Sequence, residues 1–211
     1  HPERVAYVEQ ALERLRALPE VVSATATTPD IVNLGRGLAA ITPEGTTPPA
    51  PRGYFLVNHR MVFPGYFEAF GIPIVKGRGI EERDRPEGQR VAVVSETFAR
   101  RHWPGLDPIG RSIKRGRADD PRPPFVVVGV AKDVKGVADP TDGDVPGVWY
   151  LSYPQNAAFL ANDLTFVVHT RVPPASLERA VRNALAGVDP GIAPYGFDTV
   201  EGLTGHSYVQ D

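Results

Sequence analysis

The chain has 211 residues, of which 42% are hydrophobic and 23% charged, as expected for one large or two small folded domains. Its 23 basic and 25 acidic side chains give a formal net charge of −2, which excludes a strongly basic nucleic-acid surface or a polybasic membrane patch. Cysteine is absent, which excludes disulfides, thiolate catalysis and cysteine-ligated zinc. No run approaches the roughly 18 apolar residues that a membrane helix needs, and the sequence as given starts at His1-Pro2-Glu3, without an initiator Met or a signal peptide. We therefore expect a soluble, excised piece.

The N-terminal quarter predicts one helix and then strands. Residues 2–18 place apolar side chains three and four apart, so one stripe of a helix is apolar, namely Val5, Val8, Leu12 and Leu15. Residues 21–28 are rich in β-branched residues and predict a strand. Residues 34–52 contain several Gly and Pro residues with little periodicity, which indicates a loop or boundary. Residues 54–63 predict a kinked strand.

The middle of the chain predicts short buried strands separated by turns. After one helical turn at 64–70, the strands are expected at 91–95, 109–114, 125–132 and 148–152, with a short helix at 96–103. Strand alternation and the helix phase predict five inward-facing residues: Val91, Val93, Phe98, Val126 and Val128.

The C-terminal part repeats the helix-and-strand pattern of the N-terminus. Residues 164–172 predict a strand, Ser176 is a plausible N-cap, and the helix that follows ends at 187–191, before a partly extended stretch at 192–200. We therefore predict an α+β fold in which the two ends pair as one subdomain and roughly residues 50–150 form an insertion.

Phosphate-binding motifs are absent or lack their structural context. Gly35-Arg36-Gly37 begins a loose G-x-G-x-x-A, but Pro43 and Gly45 interrupt any following helix, and no acidic residue lies about 20 positions later. A flexible loop is the favoured interpretation. The chain also has no G-x-x-x-x-G-K-[ST], so ATP hydrolysis would have to come from another chain or region.

Metal-binding spacing is also missing. The five histidines are scattered, without H-E-x-x-H or an i, i+4 pair, at His1, His59, His102, His169 and His206. We expect His102 to pack beside Trp103, and His169 to face outward or a subdomain seam. Three acidic residues around Gly143 could form a calcium loop, but turn chemistry is favoured: Asp139, Asp142 and Asp144.

No nucleophile motif is present, and the basic residues of the middle segment are balanced. G-x-S-x-G does not occur, although a Ser/His/Asp site assembled from distant residues stays open. Acidic residues are interleaved with a basic-rich stretch, which predicts a solvated face: Arg78, Arg83, Arg85, Arg90, Arg100 and Arg101. We predict no catalytic, cofactor-binding or metal-ligating residue and no cofactor.

The order of strands, aromatic turns and Gly/Pro stops over 62–130 carries a family resemblance. It includes Val62-Phe63-Pro64-Gly65-Tyr66-Phe67, Val91-Ala92-Val93-Val94-Ser95, His102-Trp103-Pro104-Gly105 and Phe125-Val126-Val127-Val128-Gly129. The stretch resembles the extracytoplasmic (periplasmic) core domain of macrolide-exporter-type, FtsX-like ABC transporter permeases. Weaker matches at 18–24, 149–155 and 177–190 extend the resemblance over nearly the whole chain.

The resemblance implies two lobes. A porter-like α/β-sandwich lobe is expected from residues 1–49 and 150–211, and an inserted, mostly β lobe from 50–149. Such a domain lies outside the cell membrane between two transmembrane helices and is not catalytic. It would couple cytoplasmic ATP hydrolysis to export, lipoprotein release or periplasmic mechanotransmission.

The resemblance also implies partners. They are the flanking transmembrane helices of the same permease, a second permease protomer, a separate or fused ATP-binding subunit, and a periplasmic adaptor or substrate protein, with no nucleic acid. The alternative from another class is a periplasmic ligand-binding or adaptor module that holds a ligand or partner between its lobes. An extracytoplasmic hydrolase with a dispersed site is a third hypothesis.

Overall fold

The computed structural model describes residues 2–28, 37–134, 147–157, 164–192, 194–200 and 202. The helices α1 to α5 of these residues span Pro2–Arg16, Tyr66–Ala69, Glu96–His102, Tyr153–Asn156 and Pro174–Ala186. The strands β1 to β9 span Val21–Thr27, Leu38–Pro43, Phe55–Val62, Ile74–Gly77, Val91–Ser95, Ser112–Arg115, Phe125–Ala131, Val148–Ser152 and Thr165–Thr170. The fold is therefore mixed α+β, as predicted.

Six strands form a closed ring. Their order is β2-β6-β7-β5-β8-β3, and β3 pairs back with β2. The pairings β5–β7 and β3–β8 are parallel, and the other four are antiparallel. Closing a sheet on itself pairs both edges of each strand, as in a small β-barrel. Strand β4 adds to the outside of this order by pairing with β7.

The two ends of the chain pair with each other. β1 and β9 are antiparallel neighbours from Val21↔Thr170 to Thr27↔Thr165, whereas β1 meets ring strand β3 at Thr27↔Val62. Helices α1 and α5 pack together, and their apolar stripes enter the main core. Val8, Leu12 and Leu15 are buried, because the helical period brings them to one face. The division into two lobes stays a prediction.

Two apolar clusters lie on opposite faces of the ring strands. The main cluster continues from the ring interior, where Val127 and Trp149 are fully buried, to helices α1 and α5. The second cluster surrounds Tyr66, Phe67 and Tyr150 and covers the outer face of part of the ring. The fully buried pattern of β5 follows from this arrangement, since alternate residues of one strand enter different clusters.

Three sequence-based expectations need correction, and one strand was missed. The predicted loop at 34–52 contains strand β2, which pairs with β3 and β6, so part of it belongs to the ring. Strand β4 was not predicted. Val91, Val93 and Phe98 are buried as expected, but Val126 and Val128 are only half-buried, because Phe125 and Val127 occupy the ring interior. Ser176 lies within the first turn of α5, whose N-cap is Pro173.

Candidate functional site

The motifs considered for nucleotide or calcium binding contribute little to the described structure. Gly37 leads into β2, and its carbonyl oxygen accepts a hydrogen bond from the His59 amide at 2.8 Å and also contacts His59 Nδ1. Gly35 and Arg36, and the acidic residues Asp139, Asp142 and Asp144, lie outside the described residues. The loop at Gly37 therefore serves the backbone of the ring.

The described histidines lie on different elements. His59 lies on β3, His169 is exposed on β9, and His102 is buried at the end of α3; His1 and His206 lie outside the described residues. The residues that the structure describes contain no group of three His, Cys, Asp or Glu side chains that could hold a metal ion.

His102 is enclosed by aromatic rings rather than by polar partners. Its ring lies 4.8 Å from that of Phe55 and 4.6 Å from that of Phe98, measured between centroids. Burial, assisted by the charge of Arg101, lowers the pKa of His102 from 6.5 to about 4. The neutral imidazole is therefore a packing residue at neutral pH, as its place beside Trp103 predicted.

The prediction that the basic-rich stretch forms a solvated face was wrong in part, because one of its arginines pairs with a buried carboxylate. Arg78 donates to both carboxylate oxygens of Asp84, at 2.7 and 2.8 Å, and the Asp84 side chain is only 5% exposed. The carboxylate also accepts the Glu81 amide, so it closes the 81–84 turn. Asp84 reaches Arg78 because a turn brings together two residues that are six apart in the sequence. The spacing of a helix or a strand does not predict this contact.

Ion pairs and hydrogen bonds join α1 to the middle segment, and we call this contact the seam. Glu9 pairs with Arg85, and Arg16 lies 3.7 Å from Glu82. The Arg16 guanidinium also donates to the carbonyl oxygens of Ala24 at 3.1 Å and Pro64 at 3.2 Å. Glu9 and Arg16 lie outside the apolar stripe that the sequence predicts for this helix, and nothing in their spacing indicates a partner about 70 residues away.

An open groove of about 360 Å³ runs beside the seam. It is lined by residues of α1, β1, the turn before α2, α2 itself and the 81–85 loop: Arg16, Val22, Ser23, Ala24, Pro64, Gly65, Glu68 and Glu82. The lining mixes one cation with two carboxylates.

A family model describes almost all of this architecture. The model of the MacB-like periplasmic core domain matches residues 2–188, which includes all nine strands and five helices described above. The chain belongs to this family. It is therefore an extracytoplasmic domain of a MacB-like ABC transporter permease, and the resemblance drawn from 62–130 is confirmed.

Solved structures with the same fold support the assignment of this MacB-like domain. The periplasmic region of MacB from Actinobacillus actinomycetemcomitans superposes with a TM-score of 0.62 at 15% identity, over 95% of this chain and 82% of that chain. The extracellular domain of the noncanonic ABC-type transporter YknZ from Gram-positive bacteria gives a TM-score of 0.54 at 17% identity, over 86% and 81%. No curated protein matches the chain. Among its described helices, none is long and apolar enough to cross a bilayer.

Proposed function

We propose that this MacB-like domain couples ATP-driven movement of a permease to an event outside the membrane, such as export, lipoprotein release or mechanotransmission. In this role residues 1–49 and 150–211 are proposed to form one lobe and residues 50–149 the other. The domain is proposed to be non-catalytic, and its partners are the flanking transmembrane helices, a second protomer, an ATP-binding subunit and a periplasmic adaptor or substrate protein.

The seam is the observation that supports this proposal. Its pairs are at least partly exposed, with side-chain exposures of 42% and 34% for Arg85 and Glu9 and of 38% and 60% for Arg16 and Glu82. Exposed ion pairs each stabilise one geometry by only about 0–1 kcal/mol, so such contacts exchange partners at low cost. Because the main apolar core is continuous from the ring to α1 and α5, we expect a sliding motion rather than opening of a wide cleft.

A reversible crosslink across the seam tests the proposal. The chain has no cysteine, so Glu9→Cys and Arg85→Cys in the full-length permease provide a unique thiol pair in this domain. A reducible bis-maleimide should join them, since the native side chains already meet. We expect transport and transport-coupled ATP turnover to fall on crosslinking and to recover after reduction of the linker.

The matched control places the same linker within one element. Arg117→Cys and Asp119→Cys are on the same exposed turn after β6, where the native side chains lie 3.8 Å apart. Crosslinking there should leave transport unchanged. Full activity of the quantitatively crosslinked Glu9/Arg85 pair would refute the role of seam motion and would favour the alternative, a module that holds a ligand or partner without moving.

A further inference from the structure

The groove beside the seam lies where the pairing of β1 with β3 stops. These strands meet only at the C-terminal end of β1, where the Phe63 amide also donates to the Ala26 carbonyl oxygen at 2.9 Å. Pro64 follows and has no N–H to donate, and Gly65 turns the chain away with a φ of 84°, in the left-handed region. The rest of this edge of β1 therefore has no strand beside it among the residues that the structure describes.

The open edge of β1 forms one wall of the groove. Val22, Ser23 and Ala24 are consecutive residues of the groove lining. The Ala24 carbonyl oxygen points to the groove side, since it accepts from Arg16 and not from a neighbouring strand. The N–H of a strand residue points to the same side as its C=O, so the Ala24 amide also points there. Ser23 adds a buried hydroxyl that has no hydrogen-bond partner in the described part of the chain. The gap thus presents backbone groups that a further strand would use.

Arg16 occupies part of the gap in place of a strand. Its Nε donates to the Ala24 carbonyl oxygen at 3.1 Å, and its Nη2 donates to the Pro64 carbonyl oxygen at 3.2 Å. A guanidinium supplies donors but no acceptor, so it satisfies the edge carbonyl and offers nothing to the edge N–H. The Arg16 side chain is 38% exposed, so its charged head can move into solvent without opening the core.

Two carboxylates flank the gap. The Glu82 side chain is 60% exposed and lies 3.7 Å from Arg16 and 3.4 Å from Arg85. Glu68 is exposed on α2 and makes no ion pair or side-chain hydrogen bond within the described ranges. Because Arg16 already donates to carbonyl oxygens, the groove presents negative charge to a partner. Val22, which is 46% exposed, adds an apolar contact at the open edge.

We propose that the groove binds a basic, extended peptide segment of another protein by strand addition to β1. The segment continues the course of β3, so it runs antiparallel to β1, displaces Arg16 and exchanges backbone hydrogen bonds with Ala24. Its lysine or arginine side chains pair with Glu68 and Glu82. The three wall residues of β1 match an extended segment of about three to four residues at roughly 3.3 Å each. The proposal does not depend on the coupling role, because the peptide binds whether or not the seam moves.

Fluorescence anisotropy of a labelled probe peptide tests the proposal at physiological ionic strength. The probe is Lys-Val-Lys-Val-Lys with blocked ends, and Glu-Val-Glu-Val-Glu is its acidic counterpart. We expect saturable binding of the basic probe and none of the acidic one. Glu68→Gln should weaken binding about two- to fivefold, the range that corresponds to one partly exposed ion pair. Glu13→Gln is the matched control, since Glu13 is exposed on α1 outside the groove and should leave the affinity unchanged.

Two modified probes separate strand pairing from attraction between charges. One is N-methylated at its lysines and the other at its valines, so both keep every charge. Successive N–H groups point to opposite edges of an extended strand, and only one edge of the probe faces β1. One modified probe should therefore bind about tenfold more weakly than the parent, and the other should lose little. Equal affinities of the two modified probes would overturn strand addition.

A variant that empties the gap works in the opposite direction. Arg16→Ala removes the group that the peptide must displace and should tighten binding several-fold, which misfolding would not produce. Arg14→Ala removes the same charge from an exposed position of the same helix and should leave the affinity unchanged. Circular dichroism establishes that each variant is folded.

Four results would each overturn the proposal. They are absence of saturable binding of the basic probe, equal effects of Glu68→Gln and Glu13→Gln, weaker binding by Arg16→Ala, and self-association of the chain that the probe dissociates. Sedimentation velocity of the chain alone and with the probe measures the last, which would assign the groove to a second copy of this chain.

Discussion

Acidification should destabilise this domain through His102, and the sign follows from the direction of its pKa shift. The folded-state pKa is about 4, whereas the unfolded chain retains 6.5, so the unfolded state binds more protons between these values. The stabilisation is therefore fully present above about pH 6.5 and is lost as the pH falls toward 4. At pH 5 the two pKa values correspond to a loss of about 2 kcal/mol at 1.36 kcal/mol per pH unit.

Urea denaturation at about pH 7.5 and pH 5 measures this loss, and His102→Phe isolates it. Phenylalanine suits the surrounding rings of Phe55 and Phe98 but carries no proton. Any packing cost of the larger ring is present at both pH values and cancels from the difference. From the higher to the lower pH, the free energy of unfolding of His102→Phe should fall by about 2 kcal/mol less than that of the parent.

A matched substitution shows that the effect belongs to this histidine. His169→Gln changes an exposed residue on β9 and keeps His102 in place, so it should reproduce the parent profile. Equal losses of stability for the parent and His102→Phe would refute the reasoning, because burial among aromatic rings would then have no effect on protonation.

Three further predictions concern the core, the turn at Asp84 and chemistry. Val127→Asp should lower the free energy of unfolding by more than about 4 kcal/mol and Val128→Asp by less than half as much, because only Val127 faces the ring interior. Denaturation curves measure both losses, and equal losses would contradict this assignment. Asp84→Asn should cost about 2–3 kcal/mol by weakening the bidentate contact with Arg78, whereas Glu87→Gln, which changes an exposed residue of the same loop, should be neutral in the same assay. The isolated chain should hydrolyse neither ATP nor generic esters and peptides, and turnover proportional to protein concentration across purifications would count against a non-catalytic domain.

The sequence predicted elements whose cause is local and missed those whose cause is distant. Helix α1 and strand β5 follow from the spacing and β-branching of their own residues. Strand β2 contains Ala39, Ala40 and Pro43, which give little local preference, and it becomes a strand by pairing with β3 and β6. Strand β4 lies against β7 where Gly129 meets the backbone of Arg78; a side chain there would overlap the Arg78 carbonyl oxygen.

The arginines show the same limit for the candidate sites. Residues 78–101 look like one balanced surface in the sequence, but the fold separates them. Arg78 closes a turn with Asp84, and Arg85 reaches Glu9 on α1. Arg90 joins Arg115 over Phe125, a grouping that depends on ring closure and on no local motif. Family membership, in contrast, was predictable, because turns and buried strands leave a recurring order of residues.

The closed ring also sets the order in which the chain can fold. Strand β3 acquires its parallel neighbour only when β8 is present, since His59 pairs with Trp149, and β1 acquires its long ladder only when β9 is present, since Ser23 pairs with His169. Long loops must therefore close before these contacts form, which slows folding and favours a late, concerted step. A nascent chain that has not yet reached residue 170 holds an unmatched β1, and that exposed strand edge is where we expect chaperone binding or misassembly to begin.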